Sequence, residues 1–93
     1  KDPANDLAVI SAILSSSLDI SIEPGISMCG EVGLSGEIRP VNRIEQRILE
    51  AEKLGFSRII IPHNNLKGFD TSKCKMQIVQ VRKVEEAFRQ LFG

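Results

Sequence analysis

Three glycines fall at every third position, Gly30, Gly33 and Gly36, and Pro40 and a helix-forming segment follow them. Glycines at such spacing can cradle a phosphate when their loop runs from a strand into a helix N-terminus. Here the residues after Gly36, "EIRPV", have strand character, so the glycines are expected at the turn of a β-hairpin. Serine and lysine offer a second chemistry, in which an amine takes the hydroxyl proton and the oxygen attacks a carbonyl. Ser11, Ser15, Ser16 and Ser17 lie on or just after a first helical segment, and Lys53 lies near the end of a second. Serines in such a stripe read as exposed surface, and a dyad built from them is not expected. His63, Asn64 and Asn65 form a third polar group, read as a loop that satisfies its own backbone. Cys29 and Cys74 make no C-x-x-C pair, and with a single histidine no metal site is expected.

Helices and strands must place these residues. Asp2 and Pro3 suit a helix start, the first as an acceptor for free N–H groups and the second at the opening position. Leu7, Ile10, Leu14 and Leu18 then recur at helical spacing, with Ala8, Val9, Ala12 and Ile13 between them. Apolar residues cover most of this circumference, which predicts burial on more than one side. "ISMCGEV" and "GEIRPV" read as two short strands around the glycine turn. "NRIEQRILEAEKLG" reads as a second helix, with Asn42 as its cap, Glu45 completing a capping box and Gly55 as its stop. Ile44, Ile48, Ala51 and Leu54 are its expected buried stripe. "SRIIIP" predicts a strand covered on both faces, as in a parallel sheet. The loop "HNNLKGFDTSK", a strand "MQIVQV" and a closing helix "RKVEEAFRQLFG" complete the pattern, the helix burying Val84, Ala87, Phe88 and Leu91. Alternating helices and strands give an α/β class, in the order helix, β-hairpin, helix, strand, strand, helix.

The 93 residues are enough for one domain or part of one, and the opening "KDPAND" reads as the middle of a longer protein. No run approaches the length of a membrane span, no secretory leader pattern opens the chain, and no membrane partner is expected. Formal net charge is zero, yet residues 1–37 carry one Lys and six acids while residues 38–93 carry eleven Lys or Arg and six acids. Such asymmetry fits a nucleic-acid face or a contact between copies. Lys67, Lys73 and Lys75 lie close together, and Arg39, Arg43 and Arg47 gather around the start of the second helix. These six are the candidate contacts to a DNA backbone.

The segment "GEVGLSGEIRPVNRIEQRILEAEKLGFSRIIIPHNN" resembles the core of the Lon-type protease domain. The likeness rests on Gly30, Glu31, Leu34, Gly36, Pro40, Val41, Gly55, Pro62 and Asn65 in that family's pattern, and it extends over nearly the whole chain. It implies a partial Lon-protease-like fold, of the ribosomal protein S5 domain 2-like kind, here a single C-terminal unit over residues 1–93 without its first strands. Lon-type enzymes carry a catalytic serine in a G-P-S-A-G motif and a catalytic lysine shortly after Pro-Val. Matching those motifs puts Ala4 at the serine position and Glu45 at the lysine position. A methyl group cannot attack a carbonyl and a carboxylate cannot serve as the ammonium, so no catalytic residue is assigned.

Within that superfamily, "DPANDLA" and "NRIEQR" look most like the C-terminal domain of a bacterial DNA-repair ATPase with a RecA-like motor and an N-terminal zinc finger. That resemblance implies a proteolytically inactive scaffold in a cytoplasmic homo-oligomeric ring acting on recombination intermediates by branch migration. ATP, Mg2+ and Zn2+ would then belong to the parent, with no cofactor in these residues and DNA reached through the parent. The contrasting expectation is an ATP-dependent Ser–Lys peptidase domain, which needs a dyad at other positions. Apolar surface left open on the first helix and first strand would favour self-association.

Overall fold

The computed structural model describes residues 2–92. A short 3-10 turn, Pro3–Asn5, leads into helix α1, Asp6–Leu18. Strand β1, Ile26–Met28, is followed by β2, Glu31–Val32, and β3, Ile38–Arg39. Helix α2, Ile44–Lys53, precedes strand β4, Arg58–Pro62. A second 3-10 turn, Thr71–Lys73, strand β5, Gln77–Val81, and helix α3, Val84–Phe92, close the fold.

The class is α/β, as the alternation predicts. β4 lies centrally in a three-stranded sheet and runs parallel to both β1 and β5, with Ile60 opposite Met28 on one side and Val79 on the other. Ile59, Ile60 and Ile61 are all buried because the sheet is covered on both faces. Ile60 joins Leu7, Ile26, Ile38, Val81, Ala87 and Leu91 in one core. Ile59 and Ile61 point the other way, into a core with Cys29, Ile44, Ile48, Ala51 and Met76. Alternation along a strand thus sends consecutive isoleucines into opposite cores.

β2 and β3 form a separate antiparallel hairpin around the glycine turn. The sequence reading runs "ISMCGEV" as one strand, but the structure splits it at Cys29–Gly30, sending β1 into the parallel sheet and β2 into the hairpin. Gly30 is a close meeting point of the two assemblies: a Cβ there would lie 2.8 Å from Ile38 Cγ2. The hairpin is tied to the end of the chain as well, through Ile38 N–H donating to Arg82 O at 2.7 Å and Val84 N–H donating to Gly36 O at 2.9 Å.

Three expectations about the helices are corrected. Asn42 and Glu45 do not form a capping box: the residue before α2 is Arg43, in left-handed conformation at φ 61°, and no side chain caps the first turn. Asn42 is held elsewhere, its carbonyl accepting from Arg47 Nε at 2.9 Å. Leu54 is 67% exposed, because the chain leaves the helix there and Phe56 turns back, its N–H donating to Ala51 O at 3.1 Å. Gly55, at φ 93°, supplies the left-handed residue that this reversal requires. Finally, α1 is not buried on several sides: Leu7 and Ser11 are buried, while Val9, Ile13 and Leu18 are 54%, 60% and 55% exposed. In the closing helix, Ala87 and Leu91 are buried and Val84 and Phe88 pack partly against them.

Candidate functional site

Asp2 builds the turn in front of α1. Its Oδ1 accepts from Ala4 N at 3.0 Å, and Pro3 supplies the fixed φ that such a turn needs. The turn is fastened to the start of the hairpin by backbone: Gly30 N–H donates to Ala4 O at 2.9 Å and Leu7 N–H donates to Gly30 O at 3.1 Å. Asp6 adds a side-chain bond, its Oδ2 accepting from Val32 N at 3.1 Å. Ala4 is therefore rigidly placed, and only 3% of it is exposed.

Ala4 borders a cavity of about 190 Å³ walled by Asp2, Pro3, Glu31, Pro40, Val41 and Asn42. Glu45 is not part of that wall. It is exposed on α2 and borders two other cavities, one with Leu49, Phe69 and Lys73, the other with Arg43, Asn64 and Lys67. The structure thus brings Asp2, Pro40 and Val41 around Ala4 and leaves Glu45 outside that cavity.

Arg47, outside the Lon-type motif positions, is held against this region, as Arg39 is through Glu31. Its Nη2 lies 3.2 Å from Asp2 Oδ2 while its Nε holds the Asn42 carbonyl. Asp2 has its acidity strengthened, first by the Ala4 N–H bond and then by the bond from Arg47. Cys29 lies nearby, and burial pushes its thiol up to about 11, which makes it a poor nucleophile.

Ser11 departs from expectation. It is fully buried rather than part of an exposed stripe, and its Oγ has no hydrogen-bond partner among the described residues. A hydroxyl with no base in hydrogen-bond reach is not activated as a nucleophile. Ser15 is spent on the end of α1, its Oγ donating to Ile20 O.

The polar loop after β4 also acts across the fold. Asn65 does not satisfy its own loop; its Oδ1 accepts from Val41 N at 2.8 Å and its Nδ2 donates to Val41 O at 3.0 Å. This one carboxamide fixes the segment leading into α2. His63 Nε2 lies 2.9 Å from Arg82 Nη2, linking the end of β4 to the approach of α3.

The six basic candidates separate into two groups. Arg39 is paired with Glu37 at 2.8 Å and Glu31 at 3.7 Å, and Arg47 is paired with Asp2. Arg43, Lys67, Lys73 and Lys75 are exposed and make no ion pair among the described residues. Arg43 and Lys67 share one cavity of about 350 Å³ with Asn64, Asn65 and Gln46. Among the described residues no three His, Cys, Asp or Glu side chains converge as metal ligands, and no helix is long and apolar enough to cross a membrane.

The whole of residues 1–93 matches the family model described as Lon protease (S16) C-terminal proteolytic domain. The chain is similar to the DNA repair protein RadA of Streptococcus pneumoniae (strain ATCC BAA-255 / R6), 48% identical over 99% of its own length and 22% of the relative's. It is also 48% identical to the DNA repair protein RadA of Bacillus subtilis (strain 168), and 41% identical to that of Halalkalibacterium halodurans, over 99% of the chain and 20% of each relative. The chain therefore spans about a fifth of the length of these relatives. The pinned turn before α1, the glycine hairpin and the Asn65 brace are carried on a parallel sheet in a chain that belongs to the family of Lon protease C-terminal proteolytic domains.

Proposed function

We propose that this chain is a proteolytically silent Lon-like domain that serves as an assembly scaffold and an auxiliary DNA contact within a DNA-repair ATPase. One observation supports the silent reading above others: the nucleophile position is held firmly in place, yet it carries the buried methyl of Ala4, and Glu45, at the lysine position, borders other cavities. A serine protease needs a hydroxyl and a neighbouring base in one accessible site. The turn before α1 keeps its full set of backbone bonds without them.

The repair role follows from the likeness to proteins named DNA repair protein RadA. In this reading the parent is a bacterial cytoplasmic ring that hydrolyses ATP with Mg2+, carries Zn2+ in a separate finger, and migrates branched recombination intermediates. The domain's part is to hold protomers together and lie against duplex DNA. The exposed apolar residues of α1, Val9, Ile13 and Leu18, give such a scaffold surface to bury.

A serine-directed covalent reagent and an unfolded protein substrate test the silent half of this reading. Neither labelling nor cleavage by the chain is expected. Labelling of any serine together with substrate cleavage would overturn it. The scaffold half is tested in a full-length relative by deleting the equivalent region, which is expected to abolish ring assembly; intact rings with normal repair would refute it.

A further inference from the structure

We infer that Arg43 and Lys67 together form the phosphate-binding element through which this domain holds duplex DNA, and that Arg39 and Arg47 take no direct part. The inference rests on the DNA-contact reading above and goes further by dividing the basic residues according to what each guanidinium or ammonium is already doing. Arg39 is engaged by Glu37 and Glu31, and Arg47 by Asp2 and the Asn42 carbonyl. A cation paired with carboxylates has its charge largely offset and fewer N–H groups free, so it offers a phosphate a weaker attraction than an unpaired one.

Arg43 and Lys67 are differently placed. They come from separate segments, the loop before α2 and the loop after β4, yet border the same open cavity. Neither forms an ion pair among the described residues. Gln46 and Asn64 stand on the same rim and are exposed, so two neutral amides flank the two cations. Arg or Lys with Asn or Gln is the usual side-chain set for sugar–phosphate contacts. The floor is stiff, because Asn65 ties both segments together through Val41.

Lys73 and Lys75 belong to a weaker neighbouring surface. Lys73 borders a cavity with Glu45, Glu52 and Asp70, so carboxylates face it. The Arg43–Lys67 cavity holds only Glu45 of that kind. The pair therefore carries the more favourable field for a phosphate group.

The test is the salt dependence of binding to a short fluorescein-labelled duplex, read by anisotropy from roughly 50 to 200 mM salt. Arg43→Gln with Lys67→Gln is compared with Arg39→Gln with Arg47→Gln. Both double variants lower the net charge equally, so a difference between them reports contact rather than overall attraction. Each lost phosphate contact reduces the log–log salt slope by about 0.9. The Arg43/Lys67 variant is expected to lose about 2 from the slope, and the Arg39/Arg47 variant to keep the slope of the parent chain.

Equal losses in both variants, or none in the first, would overturn the assignment while leaving DNA contact intact. No duplex binding by the unsubstituted chain at low salt would defeat the DNA-contact reading itself. A poly-glutamate peptide competing more strongly than duplex would reassign the surface to an acidic protein partner and overturn the inference. Thermal melts by circular dichroism check folding; should the double variant unfold, Lys67→Gln alone, at an exposed loop position, is expected to reduce the slope by about 1.

Discussion

Arg47 Nη2 lies 3.2 Å from Asp2 Oδ2, so the first turns of α2 and of the segment before α1 are joined by an ion pair. A guanidinium stays protonated in proteins and cannot take a proton from a serine. The guanidinium held beside the turn that carries Ala4 is thus of the wrong kind to act as a base and is already engaged.

Placing a hydroxyl at residue 4 should accordingly fail to produce hydrolysis. Ala4→Ser is expected to remain inactive against an unfolded protein substrate. Burial of a hydroxyl without a partner costs about 1–3 kcal/mol. The same variant is therefore expected to melt at a lower temperature, by about 4–8 °C for each kcal/mol in a domain of this size. Turnover of substrate by Ala4→Ser would mean that a base reaches the site after all.

The acid limb of the stability curve has identifiable sources. Glu37 is held below its ordinary 4.5, first by the backbone N–H it accepts and then by Arg39, and Asp2 is held below its ordinary 3.8. Their folded values lie below the unfolded ones, so the stabilisation is complete above those ordinary values and is lost as pH falls through the lower folded values. Thermal melts should worsen as pH drops below about 4.5. Glu37→Gln should flatten part of that limb, while an unchanged profile would remove Glu37 as a source.

Asn65 is a concentrated point of failure. Asn65→Ala removes both bonds to Val41 and leaves two backbone groups short of partners, at a cost of about 1–3 kcal/mol. Asn65→Asp can still accept from Val41 N–H but cannot donate to its carbonyl, and should fall between the two in a urea melt. Identical midpoints for all three would show that water replaces the brace.

Self-association should follow from α1. Val9 and Ile13 are 54% and 60% exposed, on a helix whose sequence is largely apolar. Light scattering of the chain is expected to report species larger than a monomer, and Ile13→Glu to shift the distribution toward monomer. A strictly monomeric parent chain would refute the idea that this face seeks cover.

Periodicity carried much of the fold. Three adjacent isoleucines in a short β-branched run ending at Pro62 point to a strand covered on both sides, and Ile59 to Ile61 are distributed between two cores accordingly. What failed depended on partners remote in sequence. Asn42 and Glu45 satisfy the local pattern of a capping box, but Asn65 fixes Val41 from 24 residues away and Arg47 takes the Asn42 carbonyl, so α2 begins one residue later than the pattern allows. Ser11 defies its residue type, which is usually superficial: its burial follows from Leu7 on the same face being pressed against Gly30 and the core. The residue types at positions 4 and 45 are plain in the sequence, whereas the division of six basic residues into paired and unpaired depends on which carboxylates the fold brings to them.

The central place of β4 has a consequence for biosynthesis. Among the described residues β1 pairs only with β4, where Ile26 aligns with Arg58 roughly 30 residues downstream. On a ribosome adding about 5–20 residues each second, the nascent N-terminal half waits roughly 2–6 s for that neighbour to be made. Throughout that interval Leu7 and Ile26 lack the core partners Ile60, Val81, Ala87 and Leu91, which β4 and the elements after it supply. Chaperone capture of this domain should therefore concentrate on chains stalled before β4 is complete.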